Sequence, residues 1–295
     1  MKENIKKRLS NFHNKYYKLL LLIPLLILLF SFIYMGVFYS KNKDFIHKDI
    51  SLTGGTSITL DKKLDTEELK KALSDKLEDI NTRKIYDLVT REQTATIIET
   101  RSGPDRAKEV LEEYLGEELN EENSSIEFTG SALSESFYRQ LLIAILFALA
   151  FMAIVVFIIF KTFVPSIAVI ISAFADILMT LVLVNILGME ISSAGIIAFL
   201  MIIGYSVDTD VLLTNRILKG ENSSLNERIF NAFKTGITMT LTSLIAIVFA
   251  LIIVKSFSTV LSQIFTILSI GLFFDILNTW ITNVSILKWY MEKKK

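Results

Sequence analysis

The sequence predicts a membrane protein of six transmembrane α-helices carrying one small α+β domain of βαββαβ, ferredoxin-like order. Three observations lead there. Hydrophobic residues make up 52% of the 295, too many for a soluble domain of that length. Six apolar runs are each long enough to cross a bilayer, which takes about 20 residues. Residues 40–136 interrupt them with a polar stretch holding 22 acidic and 14 basic side chains, against 9 and 17 elsewhere, so a formal net charge of zero hides two compartments.

Taken in order, residues 1–18 form a basic N-terminus with Lys2, Lys6, Lys7, Arg8, Lys15 and Lys18 against Glu3. The apolar run 19–39 follows. Its length, and the lack of a small-residue cleavage site after it, favour a retained first span over a signal peptide. The positive-inside rule then places the N-terminus in the cytoplasm and residues 40–136 outside.

Within 40–136 the patterns alternate. A strand is expected at 57–60, an amphipathic helix at 65–79, β-rich runs at 83–89 and 94–99, a second helix at 105–119 and a last strand at 125–128. This is the split βαβ order, in which both helices cover one sheet face and leave the other open. The turn Thr53-Gly54-Gly55-Thr56 leads into the first strand. Gly54 and Gly55 allow a positive φ or close approach of another backbone, and a tight turn is favoured over a ligand contact.

Residues 137–288 form the five-helix remainder of the bundle, with runs at 141–160, 164–187, 193–213, 237–254 and 260–287, and 289–295 is a basic cytoplasmic tail. Lys161, Arg216, Lys219, Arg228, Lys234, Lys288 and Lys293 fall on the N-terminal side, with Lys255 a minor exception, consistent with both termini in the cytoplasm of a multi-pass cell-membrane protein. Ser224-Leu225-Asn226-Glu227 is a capping-box signature. It is expected to open a short amphipathic helix at the inner interface, with Leu225, Ile229, Ala232 and Phe233 on one face.

Polar residues recur at helical spacing inside the later spans: Ser172-Asp176-Thr180, Ser206-Asp210-Thr214, Thr235-Thr238-Thr242 and Gly271-Asp275-Asn278-Thr282. Each set makes one face, and together they predict a polar interior. A carboxylate at mid-bilayer costs about 2.5–3.5 kcal/mol on insertion scales, so Asp176, Asp208, Asp210 and Asp275 are the candidate ion-coupling residues. Ser206, Thr209, Thr214, Thr238, Thr242 and Asn278 are their expected polar support. Asp208 and Asp210 lie about 200° apart on a straight helix, so one is expected to face this bundle and the other a second subunit. Buried carboxyls without a cationic partner suit a proton relay, and sodium would use the same oxygens.

Other chemistries find no residues to carry them. There is no cysteine, hence no disulfide and no thiolate site. His13 and His47 lie in polar flanks, and no metal or cofactor is expected. No P-loop, HExxH or GxSxG occurs, so the chain is not read as an enzyme. The acidic outer domain argues against nucleic acid.

Gly204-Tyr205-Ser206 followed by acidic residues and then Asn215-Arg216, together with the Thr53-Gly54-Gly55-Thr56 turn and Asp275-Ile276-Leu277-Asn278-Thr279-Trp280, resembles the SecF family in its archaeal form. That resemblance covers nearly the whole chain. It implies one six-span half of an RND-superfamily assembly, a SecD-like six-span partner, the Sec translocation channel and exported polypeptides as partners, and a link to the proton gradient. Bacterial members carry their fourth-span aspartate where this chain has Thr209, flanked by Asp208 and Asp210. They also carry a fifth-span arginine near the position of Thr238. Two other readings are an RND-like exporter of lipids or small molecules built from copies of this chain, and a non-energised scaffold for the translocon.

Overall fold

The computed structural model describes residues 16–87, 90–219 and 223–294. Most of the predicted N-terminal segment, the end of the expected strand 83–89 and the last residue lie outside them. Among the described residues six helices are long and apolar enough to cross a membrane: Tyr16–Asn42, Ser131–Phe160, Phe163–Ile186, Ser193–Lys219, Leu225–Val254 and Thr259–Lys294, the first to sixth spans.

Between the first two spans the chain builds β1 (His47–Lys48), α1 (Ile50–Thr53), β2 (Gly55–Leu60), α2 (Thr66–Leu73), β3 (Asn81–Tyr86), β4 (Gln93–Thr100), α3 (Pro104–Leu115) and β5 (Ser124–Thr129). The sheet runs β3-β4-β2-β5, antiparallel throughout, which is the split βαβ topology the patterns predict. α2 is shorter than expected. It starts where the Asp65 carboxylate accepts from the N–H groups of Glu67 and Glu68 and stops after Leu73, because Leu77 and Ile80 reach the core from the loop beyond. α3 begins with Pro104 at its first turn and ends at Gly116 with φ 69°, the two residues suited to those ends. Ile58, Leu60, Leu69, Leu73, Ile98, Val110 and Leu111 are buried between sheet and helices, each stabilising the fold by about 1.5–3 kcal/mol. The face away from the two helices carries the Arg83–Glu99 pair, 2.6 Å apart.

The sheet domain is fastened to the bundle at several points. β1 pairs in parallel with β6 (Glu190–Ile191) in the turn between the third and fourth spans, a pairing too short to leave a periodic trace in the sequence. Asn185 Nδ2 donates to the Phe45 carbonyl at 2.8 Å, Asn81 Nδ2 to Glu190 at 3.0 Å, and the Tyr86 N–H to the Ser256 carbonyl at 3.0 Å. Gly54 and Gly55 have φ of 84° and 150°. A Cβ on Gly54 would lie 2.5 Å from the Ser131 backbone, and one on Gly55 would collide with the Thr100 carbonyl. The glycines are there for close backbone passage, as the turn reading holds.

Two expectations about boundaries change. The second span begins at Ser131, one residue past β5 and its Gly130 cap, so the helix enters the region expected to belong to the outer domain. The capping box at Ser224 and Glu227 forms, but it opens the fifth span itself, one helix running Leu225–Val254. Among the described residues no separate interfacial helix precedes it, because nothing in 234–237 stops an α-helix: Gly236 is accommodated against Trp280. Ile229 and Ala232 pack on Leu213, Trp280 and Leu287, while Phe233 is exposed and meets the Trp280 ring edge-on at 5.1 Å.

Candidate functional site: a buried carboxylate cluster

The third, fourth and sixth spans bring Asp176, Asp210 and Asp275 into one polar interior, with exposures of 0%, 0% and 1%. The inward stripe of the third span is Ser172-Asp176-Thr180 and that of the fourth is Ser206-Asp210-Thr214, all fully buried. The sixth span changes its winding here: Asn278–Asn283 is π-helical, an i→i+5 pattern that is uncommon and is often found at functional sites. Underwinding turns two neighbouring stripes inward at once, Asp275 with Asn278 and Asp275 with Thr279 and Asn283.

Each carboxylate is held by neutral donors. Asp176 accepts from Ser206 Oγ at 2.6 Å and from Asn278 Nδ2 at 2.7 Å. Asp210 Oδ1 accepts from Asn283 Nδ2 at 2.7 Å and sits 3.3 Å from Ser172 Oγ. Thr209 Oγ1 lies 3.1 Å and 3.3 Å from the two oxygens of Asp275. Thr279 Oγ1 lies between acids, 2.8 Å from Asp210 Oδ1 and 3.1 Å from Asp275 Oδ1. Among the described residues every ion pair lies outside this interior, so no cation neutralises it.

That arrangement has a chemical consequence. A threonine hydroxyl owns one proton and can donate it once. Thr279 satisfies both acids only when one carboxyl is itself protonated and donates to the hydroxyl oxygen. Asp210 Oδ1 already collects amide and hydroxyl donors, which favours Asp275 as that donor; the single Thr209 proton is shared between Asp275 and the Ser206 carbonyl, 3.0 Å away. Asp210 Oδ2, Thr214 Oγ1 and Asn283 Oδ1 are buried with no hydrogen-bond partner among the described residues, leaving acceptor capacity in the cluster's interior.

The other expected site residues fall elsewhere. Asp208 is exposed on the opposite face of the fourth span, beside exposed Gly204 and Tyr205, as the two-residue separation requires. Thr238 and Thr242 are exposed as well and bond the carbonyls four residues back, those of Lys234 and Thr238. This corrects the expectation of an inward Thr235-Thr238-Thr242 face. The buried stripe of the fifth span is Ile229-Ala232-Gly236-Thr240-Ile247, because Gly236 alone is small enough to lie on the Trp280 ring. Thr240 therefore supplies the inward hydroxyl. Arg216 lies at the far end of the fourth span, its Nη1 donating to the Asn231 carbonyl at 3.0 Å. Thr279, Asn283 and Thr240 are site residues that the sequence patterns do not single out. The first two share four-residue spacing with Asp275, a signal that competes with the 275-278-282 stripe.

Fold and site together define a multi-pass membrane protein with a split βαβ domain and an acid-rich intramembrane core. The sequence matches the family model described as "Protein export membrane protein SecD/SecF, C-terminal" over residues 109–293. It is 39% identical to the protein-export membrane protein SecF of Methanocaldococcus jannaschii over 94% of this chain and 96% of that one. Identity to the SecF of Methanothermobacter thermautotrophicus is 37%, covering 84% and 85% of the two chains, and to that of Haloquadratum walsbyi 34%, covering 93% and 92%. Among solved structures, SecDF of Thermus thermophilus, described as a translocon-associated membrane protein, shares the fold with a TM-score of 0.72 at 21% identity; the match covers 94% of this chain and 38% of that one. The chain belongs to the SecF family of protein-export membrane proteins.

Proposed function

We propose that this protein assists protein translocation across the cell membrane as the SecF-like member of an assembly with a SecD-like six-span subunit and the Sec channel, residues 40–136 lying outside and both termini in the cytoplasm. The exported polypeptide is held near the outer domain, and proton transfer within the buried acid cluster biases the bundle between two arrangements. The observation that carries this reading is the Thr279 hydroxyl shared by Asp210 and Asp275, which links proton position on one span to hydrogen bonding on another. Asp208, exposed on the opposite face of the fourth span, is assigned to the contact with the second six-span half.

The test is export measured in cells or proteoliposomes across a range of external pH. Asp210→Asn and Asp275→Asn are expected to lower export and flatten its pH dependence while leaving the assembly intact on copurification. Asp208→Asn is expected to weaken recovery of the SecD-like subunit. Unchanged export in all three would end the proton-coupled reading. A second reading, that the acids only fix helix packing, is favoured by the full set of donors around Asp176. It predicts lower abundance of the complex with no change in ion dependence.

A further inference from the structure

We infer that the end of the bundle opposite the sheet domain holds a binding site for the phosphate headgroup of an anionic phospholipid, formed by Arg216, Lys219 and Arg228. A cavity of about 350 Å³ opens between the C-terminal end of the fourth span and the start of the fifth, lined by these three cations with Asn215, Ser223 and Asn231. Its volume falls in the range of small-ligand sites, about 300–1,000 Å³.

Among the described residues the cations are poised, not paired. Arg228 Nη1 donates to the Ile217 carbonyl at 2.6 Å and Arg216 Nη1 to the Asn231 carbonyl at 3.0 Å, so each guanidinium is anchored on the backbone of the opposite helix. A guanidinium has five N–H donors. One of those remaining, Arg228 Nε, is buried without an acceptor among the described residues. None of the ion pairs among the described residues involves these three side chains. The neighbouring Glu227 is committed to its own helix start, where its Oε2 accepts from the Ser224 N–H and hydroxyl. The ligand needed is compact, anionic and rich in acceptor oxygens, the chemistry that arginine forks match.

The place selects a lipid as the source of that group. The cavity sits where two spans leave the membrane, and the fifth span carries exposed apolar side chains beyond it, Phe233, Met239 and Leu241. A headgroup in the cavity would lay its acyl chains along them. Basic pockets at the ends of spans recognise headgroups in this way.

The experiment is native mass spectrometry and nanodisc binding of the full chain with phosphatidylglycerol against phosphatidylcholine. Wild type is expected to retain phosphatidylglycerol preferentially. Lys219→Gln is expected to lower that retention about fivefold, the worth of one cation near an anionic surface, and Lys219→Arg to restore it. Lys219 holds no backbone carbonyl among the described residues, so this pair reads binding even if arginine variants fold poorly. Equal retention of both lipids, or no effect of Lys219→Gln, overturns the proposal. So does full displacement of the lipid by millimolar inorganic phosphate, which would make the site one for a free anion.

Discussion

Thr279 is the residue on which the buried cluster turns. Replacing it with valine keeps the shape and removes the shared hydroxyl, leaving Asp210 and Asp275 each one contact short. Hydrogen bonds between membrane helices contribute about 0.6–2 kcal/mol, so Thr279→Val is expected to lower stability by about 1–3 kcal/mol as read by thermal unfolding in detergent. Ser206→Ala, which loses the 2.6 Å bond to Asp176 but no hydroxyl shared at hydrogen-bond distance between two spans' acids, should cost less than Thr279→Val; the reverse order would remove Thr279 from the centre of the network. Asp176, Asp210 and Asp275 are legible in the sequence because a carboxylate inside an apolar run is too costly to be incidental. The hydroxyls are less legible. Ser and Thr can always bond their own helix, as Thr238 and Thr242 do, so their spacing names a face without saying which way it looks.

At the scale of elements, the fifth and sixth spans meet where Gly236 lies against Trp280. A Cβ there would strike the Trp280 ring, with a second ring atom at 2.9 Å, and an indole moves as a rigid plate. Gly236→Ala is therefore expected to cost about 1–3 kcal/mol, the usual penalty for overpacking, and to shift the emission of Trp280, one of only two tryptophans in the chain. An unchanged spectrum would mean that the helices part without disturbing the ring. The same contact shows where local sequence patterns stop being informative. Six spans and six of the short elements follow from apolar run length, alternation and caps, all of which are local. The π-helical stretch 278–283 and the direction of the fifth span depend on how helices press on one another, and no local pattern encodes that. The continuous helix from Leu225 is hidden for a related reason: a capping box marks where a helix starts but carries no information about its length.

At the scale of the whole molecule, the sheet domain docks on the bundle through a seam that contains like charges. Glu99 on β4 is largely buried there, and burial pushes its carboxyl above the ordinary glutamate value; Arg83 opposes this, while Asp49 beside α1 and Glu190 of β6 push it further up. The folded protein thus holds a proton on Glu99 at pH values where the unfolded chain has released it. Stability must then fall as pH rises from the unfolded value of 4.5 through the folded one, and return on acidification. Asp44, at the exit of the first span, behaves oppositely. Burial alone would raise it, but hydrogen bonds from Lys48 at 2.6 Å and Tyr138 at 2.6 Å outweigh that and hold it below its usual value, so its contribution is lost only below that range. The two windows do not overlap, which makes the seam testable. In hydrogen exchange followed upward from pH 4.5, amides of β3 and β4 at the docked edge are expected to gain protection on acidification. Glu99→Gln should hold that protection nearly constant across the window, and Glu190→Gln should reduce the slope without abolishing it. A pH slope that survives Glu99→Gln would place the titrating group elsewhere. A slope that vanishes would show that acidity on the sheet-domain side of the membrane tightens the join between the outer domain and the helices that carry the acid cluster.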